Sequence, residues 1–250
     1  MSRRHAPFLV LETGRPVASM RRHGRFPHWI RTAAGLAPGE VTVVDVQAGA
    51  TPPSHRGFAG ILVTGSGAMV SDREDWSERS ADWLGTAARA GTPVFGICYG
   101  HQLLAHALGG AVGDNPRGRE MGTVAVDLHP QAADDPLFAG LPPTILAQAT
   151  HLQSVLAPPD GATVLAASAL DDCHAFRWGD AAWGVQFHPE FSGTHMRGYI
   201  HARRDALAGE GHDPVAVRDA VRAAPRARDV LRRFVRHARR GGAVGQAAVQ

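Results

Sequence analysis

An apolar run, Val94-Phe95-Gly96-Ile97, leads directly into Cys98, and the chain goes on through Tyr99-Gly100-His101-Gln102 into a helical stretch that stops at Gly109-Gly110. The pattern predicts a strand over Pro93 to Ile97, a tight turn at the cysteine, and a helix continuing over Gln102 to Leu108. Glycines stand two residues to either side of Cys98. A strand-to-helix turn this abrupt needs backbones to approach closely and dihedrals to be strained, which small residues permit. Such an elbow lifts one side chain above the carboxyl edge of a sheet. It also sets the thiol at a helix N-terminus, where the dipole favours the thiolate. Ligand sites of open α/β sheets lie at that edge.

The same alternation runs through the chain before it. Phe8 to Glu12, ending in Thr13-Gly14, Val41 to Val46, and Gly60 to Thr64, ending in Gly65-Ser66-Gly67, each predict a strand. His28 to Ala34 before Gly35 and Trp76 to Ala90 before Gly91 predict helices, the second with Trp76, Ser80, Trp83, Leu84 and Ala87 on one side. Strands alternating with helices imply a parallel sheet covered on both faces. The middle of the chain differs. Val124 to Leu128, Ile145 to Ala149, Thr163 to Ala167, His174 to Trp178 and Ala182 to Phe187 predict strands with short turns between them, hence added or mixed sheet at the far edge. From about Tyr199 the chain is Ala- and Arg-rich and predicted helical, with Pro214 and Pro225 near helix starts or breaks, and the tail GGAVGQAAVQ is expected to fray.

Composition narrows the function classes. The chain has 250 residues, 44% hydrophobic and 20% charged, enough to bury a sizeable core. No apolar run approaches the roughly 18 residues that cross a bilayer, and the start MSRRHAPFLVLETG lacks the long apolar stretch of a signal peptide. A cytoplasmic protein without membrane contact is expected. Two cysteines, Cys98 and Cys173, make no disulfide framework and no metal-ligand spacing, so neither a metal nor another cofactor is expected. Cys173 has no glycine frame and reads as a core residue. The net charge of +3 does not imply nucleic-acid binding, and the late arginines, from Arg203 to Arg240, read as solvated helix faces.

A thiol nucleophile needs an imidazole to take and return its proton, and the imidazole benefits from an acid that sets its tautomer. Of fourteen histidines, His188 stands apart. In Trp183-Gly184-Val185-Gln186-Phe187-His188-Pro189-Glu190 a predicted strand delivers the histidine, and Pro189 biases it toward an extended conformation. Residues two apart in an extended segment project to one side, so His188 and Glu190 are expected to be neighbours.

Two motifs, Gly96-Ile97-Cys98-Tyr99-Gly100-His101-Gln102 and Gln186-Phe187-His188-Pro189-Glu190, ninety residues apart from Cys98 to His188, closely resemble those of the class I glutamine amidotransferases. The resemblance covers roughly residues 8 to 192. It implies an α/β, doubly wound, mostly parallel, flavodoxin-like sheet over residues 1–192, leaving 193–250 as a C-terminal helical extension. It also implies hydrolysis of the glutamine side-chain amide through a γ-glutamyl thioester on Cys98, with His188 and Glu190 completing a Cys-His-Glu triad. Gly65, Ser66 and Gly67 match the family's glycine-rich oxyanion turn, where backbone N–H groups together with that of Tyr99 would face a developing oxyanion. Gln102 matches a substrate-contacting glutamine. Glu120-Met121-Gly122 resembles a segment of the GMP-synthetase-like branch and is read as structural. Thr150, Leu152 and Gln153 fall in the loop that holds the substrate's amino-acid end. Gln153 stands where that branch usually carries an aspartate, which would pair with the substrate's α-ammonium; an amide accepts a hydrogen bond but offers no charge.

The chain has no P-loop and no room for a synthetase domain after residue 192, so the resemblance points to the free-standing branch. The leading expectation is a glutaminase that supplies ammonia to a separate synthetase subunit. The alternatives are a stand-alone hydrolase of γ-glutamyl peptides and a non-catalytic binding module. The three intact residues Cys98, His188 and Glu190 argue against the last.

Overall fold

The computed structural model describes residues 6–247. Its elements are β1 (Phe8–Glu12), α1 (Phe26–Ala34), β2 (Val41–Asp45), β3 (Gly60–Val63), α2 (Asp75–Arg89), β4 (Val94–Ile97), α3 (Tyr99–Ala107), β5 (Ala111–Asp114), β6 (Glu120–Leu128), β7 (Thr144–His151), β8 (Gln153–Ala157), β9 (Ala162–Ser168), β10 (Ala175–Trp178), β11 (Ala182–Val185), α4 (Gly193–Ala202), α5 (Arg204–Gly209), α6 (Pro214–Asp219) and α7 (Pro225–Ala247). The expected fraying of the tail falls in part on residues 248–250, which lie outside the described residues.

Nine strands form one sheet in the order β2-β1-β3-β4-β11-β10-β9-β6-β7. The first five pair in parallel, Phe8 opposite both Val41 and Gly60, and Gly96 opposite both Val63 and Gly184. The remaining pairs are antiparallel. This is the doubly wound α/β fold, with the mixed far edge that the short turns of the middle segment imply. The central strands β1, β3, β4 and β11 are buried along their whole length. That explains why they read as continuous apolar runs rather than alternating ones.

Two cores cover the two faces. On one, α2 and α3 set Leu84, Ala87, Leu103 and Leu104 against Leu9, Ile61, Val63 and Val94. On the other, α1 and α7 pack over Phe8, Leu62, Phe95 and Trp183. Phe234 of α7 is fully buried, its ring centroid 5.1 Å from that of Phe95 and 6.1 Å from that of Trp183. The apolar residues Val230, Leu231, Phe234, Val235 and Ala238 recur at helical spacing. Between them, arginines of α7 tie it to the body, Arg232 donating to Ala33 O and Arg233 to Leu137 O and Ala139 O. A third cluster, with Met20, Trp29, Phe191 and Tyr199, sits near the carboxyl ends of the parallel strands.

Two differences from the expected elements bear on the site. β6 begins at Glu120 rather than Val124, and β7 runs on to His151. The extra residues include the buried polar Glu120, Thr150 and His151, and Gly122 at φ +119 interrupts them, so no apolar pattern marks them as strand. The Thr150 to Val155 segment is the end of β7, a single-residue break at Leu152, and the start of β8, which pairs with the short strand β5. No helix among the described residues is long and apolar enough to cross a membrane.

Candidate active site

Cys98 occupies φ +52, ψ −103, one of two non-glycine residues with positive φ among the described residues. Its N–H still extends the sheet by donating to Val185 O, while its carbonyl already accepts from Gln102 N at the start of α3. One residue thus ends a strand and opens a helix. The flanking glycines are sterically required. A Cβ at Gly96 would lie 2.3 Å from Gly100 O, and one at Gly100 2.6 Å from Val63 O. Such backbone strain costs of order 1–3 kcal/mol and persists only where the surroundings impose it.

Past β11 the chain turns through Gln186 and Phe187, and His188 N donates to Gln148 O of β7. His188 Nδ1 lies 2.8 Å from Glu190 Oε1, and both side chains are buried. An ionised carboxylate only accepts, so Nδ1 carries a proton and Nε2 is the nitrogen left for proton transfer. Nε2 is buried and makes no hydrogen bond with the described residues. The Phe191 ring stacks on the imidazole at 4.2 Å. Burial alone would depress the His188 pKa, but the Glu190 and Cys98 charges outweigh it and raise it to about 10. Burial alone would raise the Cys98 pKa; the charge of His188, helped by that of His151, brings it below its usual value. The pair therefore favours thiolate and imidazolium. Cys173 is the contrast: buried beside Asp171 and Asp172, its thiol is pushed up to about 12.

The glycine-rich turn lies beside this pair. A Cβ on Gly65 would come 3.0 Å from His188 Cε1 and 3.8 Å from Cys98 Cβ. The turn is anchored from β1's end, where Thr13 Oγ1 donates to Thr64 O and Gly65 O and Thr13 N donates to Thr64 Oγ1. Ser66 Oγ accepts from Ala68 N. Tyr99 is the first residue of α3, so its N–H has no intrahelical acceptor. Its ring is buried under α2, its hydroxyl 2.5 Å from Ser77 Oγ. Ser66, Gly67 and Tyr99 line a cleft together with Cys98.

Gln102, Thr150, Leu152 and Gln153 line the same cleft. Gln102 spends both amide protons, on Gln153 O at 2.7 Å and Gln186 Oε1 at 2.9 Å, which leaves its carbonyl oxygen as an acceptor. Thr150 O lies 3.9 Å from Cys98 Sγ, and Thr150 Oγ1 is buried without a hydrogen bond. The Gln153 amide nitrogen donates to Ser71 Oγ and Asp114 Oδ1, away from the thiol.

Sequence reasoning did not select three groups that border this site. His151 lines the cleft, held between Glu120 Oε2 at 3.0 Å and Gln153 O at 3.0 Å. Glu120 accepts also from His174 Nε2 at 2.7 Å and from Ser168 Oγ. Ligand atoms of Glu120, His151 and His174 come together as those of a metal site would, but at these separations they hydrogen-bond directly to one another. Arg203 enters from the junction of α4 and α5. The only signal for Glu120 and His151 was their place in motif-like segments, and for Arg203 there was none.

The family described as "Glutamine amidotransferase class-I" matches residues 23–204, a span that contains the whole cleft. The chain belongs to the class I glutamine amidotransferases. Within that family it is similar to one subunit of the glutamine-hydrolyzing GMP synthase of Methanoculleus marisnigri, 31% identical over 78% of this chain and 99% of that one. It is also 32% identical to the corresponding subunit from Halobacterium salinarum, over 69% of this chain and 87% of that protein. A match to the GMP synthase of Thermomicrobium roseum, 38% identical over 58% of this chain, spans just 26% of that longer protein. The fold is shared with a glutamine amidotransferase from Thermotoga maritima, at TM-score 0.73, 20% identity and coverage of 94% and 99% of the two chains. The amidotransferase family assignment makes the protein an enzyme.

Proposed function

We propose that the Cys98 cleft hydrolyses the side-chain amide of glutamine and supplies the ammonia to a separate partner. The observation that supports this most is the thiol held at φ +52 on a helix N-terminus beside a buried His188–Glu190 pair. The Sγ thiolate attacks the γ-carbonyl carbon. The oxyanion that forms accepts from the Tyr99 N–H and the Gly65-Ser66-Gly67 turn, an arrangement whose individual donors are typically worth about 100- to 1000-fold in rate. His188 Nε2–H gives its proton to the departing nitrogen, and ammonia leaves a γ-glutamyl thioester on Cys98. Water then attacks the thioester, Nε2 takes its proton, and glutamate leaves as the thiolate re-forms.

A separate acceptor protein is supported by the relatives named as one subunit of GMP synthase, which this chain matches over most of their length. The test is glutaminase assay of the purified protein and of Cys98→Ser, reading ammonia and glutamate. Glutamate release by the wild type and none by the variant is expected; equal release by both sinks the proposal.

A second reading, hydrolysis of γ-glutamyl peptides by the same triad, draws on Gln153. Its side chain is committed to Ser71 and Asp114, so no carboxylate from that position reaches the amino-acid end of a substrate. Release of the amino acid from a γ-glutamyl dipeptide without release of ammonia from glutamine decides for this reading.

A further inference from the structure

The cleft over Cys98 contains an arginine that no carboxylate pairs with among the described residues. Arg203 sits where α4 gives way to α5, and its side chain lines the cleft together with Cys98, Tyr99 and Gln102. Its Nε is buried and makes no hydrogen bond, and no carboxylate lies within ion-pair distance of it among the described residues. The neighbouring Arg119 shows the contrast, bound by Glu210 with Nε 2.8 Å and Nη2 2.9 Å from the two carboxylate oxygens. That acid is therefore already engaged. The Arg203 guanidinium rests 6.0 Å from the Tyr199 ring centroid, a contact that orients it without neutralising it. Its charge is felt at Cys98, and burial and the Arg119 charge disfavour it. A half-buried guanidinium with a buried, unpaired Nε and no anion beside it is unfavourable, and a bound anion offsets that cost.

The rest of the cleft has no charge to balance an ammonium. None of its lining residues is a carboxylate. The acceptors that remain for the amino-acid end of a substrate are neutral, the Gln102 carbonyl oxygen and Thr150 Oγ1.

We propose that Arg203 is the specificity residue that clamps the substrate's α-carboxylate, and that the site accepts γ-carboxamides of dicarboxylic acids lacking the α-ammonium group. This rests on the proposed γ-amide hydrolysis at Cys98 and deepens it. The simplest such substrate is glutaramate, glutamine without its amino group. Water's oxygen bonds to the amide carbonyl carbon, the C–N bond breaks, and nitrogen leaves as ammonia, giving glutarate. No oxidant or further co-reactant is needed.

The test compares glutamine, glutaramate and 4-aminobutanamide, which keeps the amine and lacks the carboxylate. For the wild type, kcat/KM for glutaramate is expected within about tenfold of that for glutamine, and 4-aminobutanamide is expected to fall by about 30-fold or more, as for loss of one partner of a buried charge pair. Arg203→Gln is expected to raise KM for both carboxylate substrates by a similar factor while kcat falls much less. Arg203→Lys restores part of the loss. Cys98 alkylation by the neutral reagent iodoacetamide is expected to be slowed by glutaramate in the wild type and not in Arg203→Gln. That readout needs no turnover and, with unliganded alkylation retained, shows that the variant is folded. Unchanged KM and unchanged protection in Arg203→Gln overturn the proposal, as does 4-aminobutanamide turning over as well as glutaramate. If instead wild-type Cys98 is protected by glutaramate but no amide releases ammonia, the hydrolysis reading fails and the carboxylate clamp stands.

Discussion

Glu120 and His151 are direct partners across the β6–β7 ladder, and their side chains meet with Oε2 3.0 Å from Nε2. The other imidazole nitrogen faces Gln153 O at 3.0 Å. An ionised carboxylate and a carbonyl both only accept, so each ring nitrogen donates and His151 is an imidazolium. Burial would lower the His151 pKa, but the hydrogen bond and charge of Glu120 raise it instead. Burial would raise Glu120, and hydrogen bonds from His151 and His174 hold it well below the usual carboxylate range. A fixed positive charge therefore borders the cleft that contains Cys98.

Glu120→Gln removes the charge that holds His151 protonated. Because the His151 charge contributes to lowering the Cys98 pKa, the pH at which Cys98 becomes reactive toward iodoacetamide moves upward in this variant. Breaking a buried pair from one side costs about 3–5 kcal/mol, so the urea midpoint falls as well. An alkylation curve and a urea midpoint both identical to the wild type's exclude the imidazolium assignment.

The His188–Cys98 coupling makes a second prediction with a definite sign. Cys98 lies below its ordinary thiol value of 9.0 because the charge of His188 overcomes burial. Its alkylation rate is expected to rise at pH values below that of a free thiol. In His188→Gln the burial stays and the largest opposing charge goes, so the inflection moves upward. In Glu190→Gln the charge that raises His188 is lost, and the upper limb, set near pH 10 by His188 giving up its proton, moves downward. Alkylation profiles of the three proteins from pH 5 to 11 decide this.

The motifs most legible in the sequence are those whose geometry is local. Gly96, Cys98 and Gly100 announce the elbow because close backbone approach is enforced within five residues. His188 and Glu190 do meet, but across a turn centred on Pro189 and Glu190 and closed by Phe191 N donating to His188 O, not in the extended segment that the proline implied. Apolar runs marked β1, β3, β4 and β11 because those strands are buried throughout. Glu120, His151 and His174 were not legible as one cluster because β6, β7 and the residue before β10 bring them together from distant parts of the chain, and the polar character of Glu120 and His151 hid the ends of β6 and β7. Arg203 was hidden for another reason. In a run of arginines the bland reading is a solvated face, and only the α4–α5 junction turns this one into the cleft.

Strain at Cys98 is separable from its chemistry. Cys98→Ala and Cys98→Gly both remove the thiol, and neither is expected to release ammonia from glutamine. They differ in what φ +52, ψ −103 costs them. Alanine keeps the strain, of order 1–3 kcal/mol, whereas glycine relieves it at the expense of a larger unfolded-state entropy. The glycine variant is therefore expected to be more stable than the alanine variant by about 1 kcal/mol, seen as a higher thermal midpoint. A lower midpoint for glycine means that the elbow is not strained.

The last helix decides whether residues 193–250 are an extension or part of the domain. Phe234 is fully buried against Phe8, Phe95 and Trp183, which belong to β1, β4 and β11. Phe234→Ala is expected to destabilise by about 3–5 kcal/mol, as for a large buried aromatic replaced without collapse of its surroundings. The cleft lies at the carboxyl edge, away from this face, so KM for glutamine per folded molecule is expected to hold. Truncation before Pro225 exposes the whole Phe8–Phe95–Trp183 surface at once, and that protein is expected not to fold. If it folds and hydrolyses glutamine with unchanged KM, α7 is an appendage and the apolar contacts beneath it contribute little.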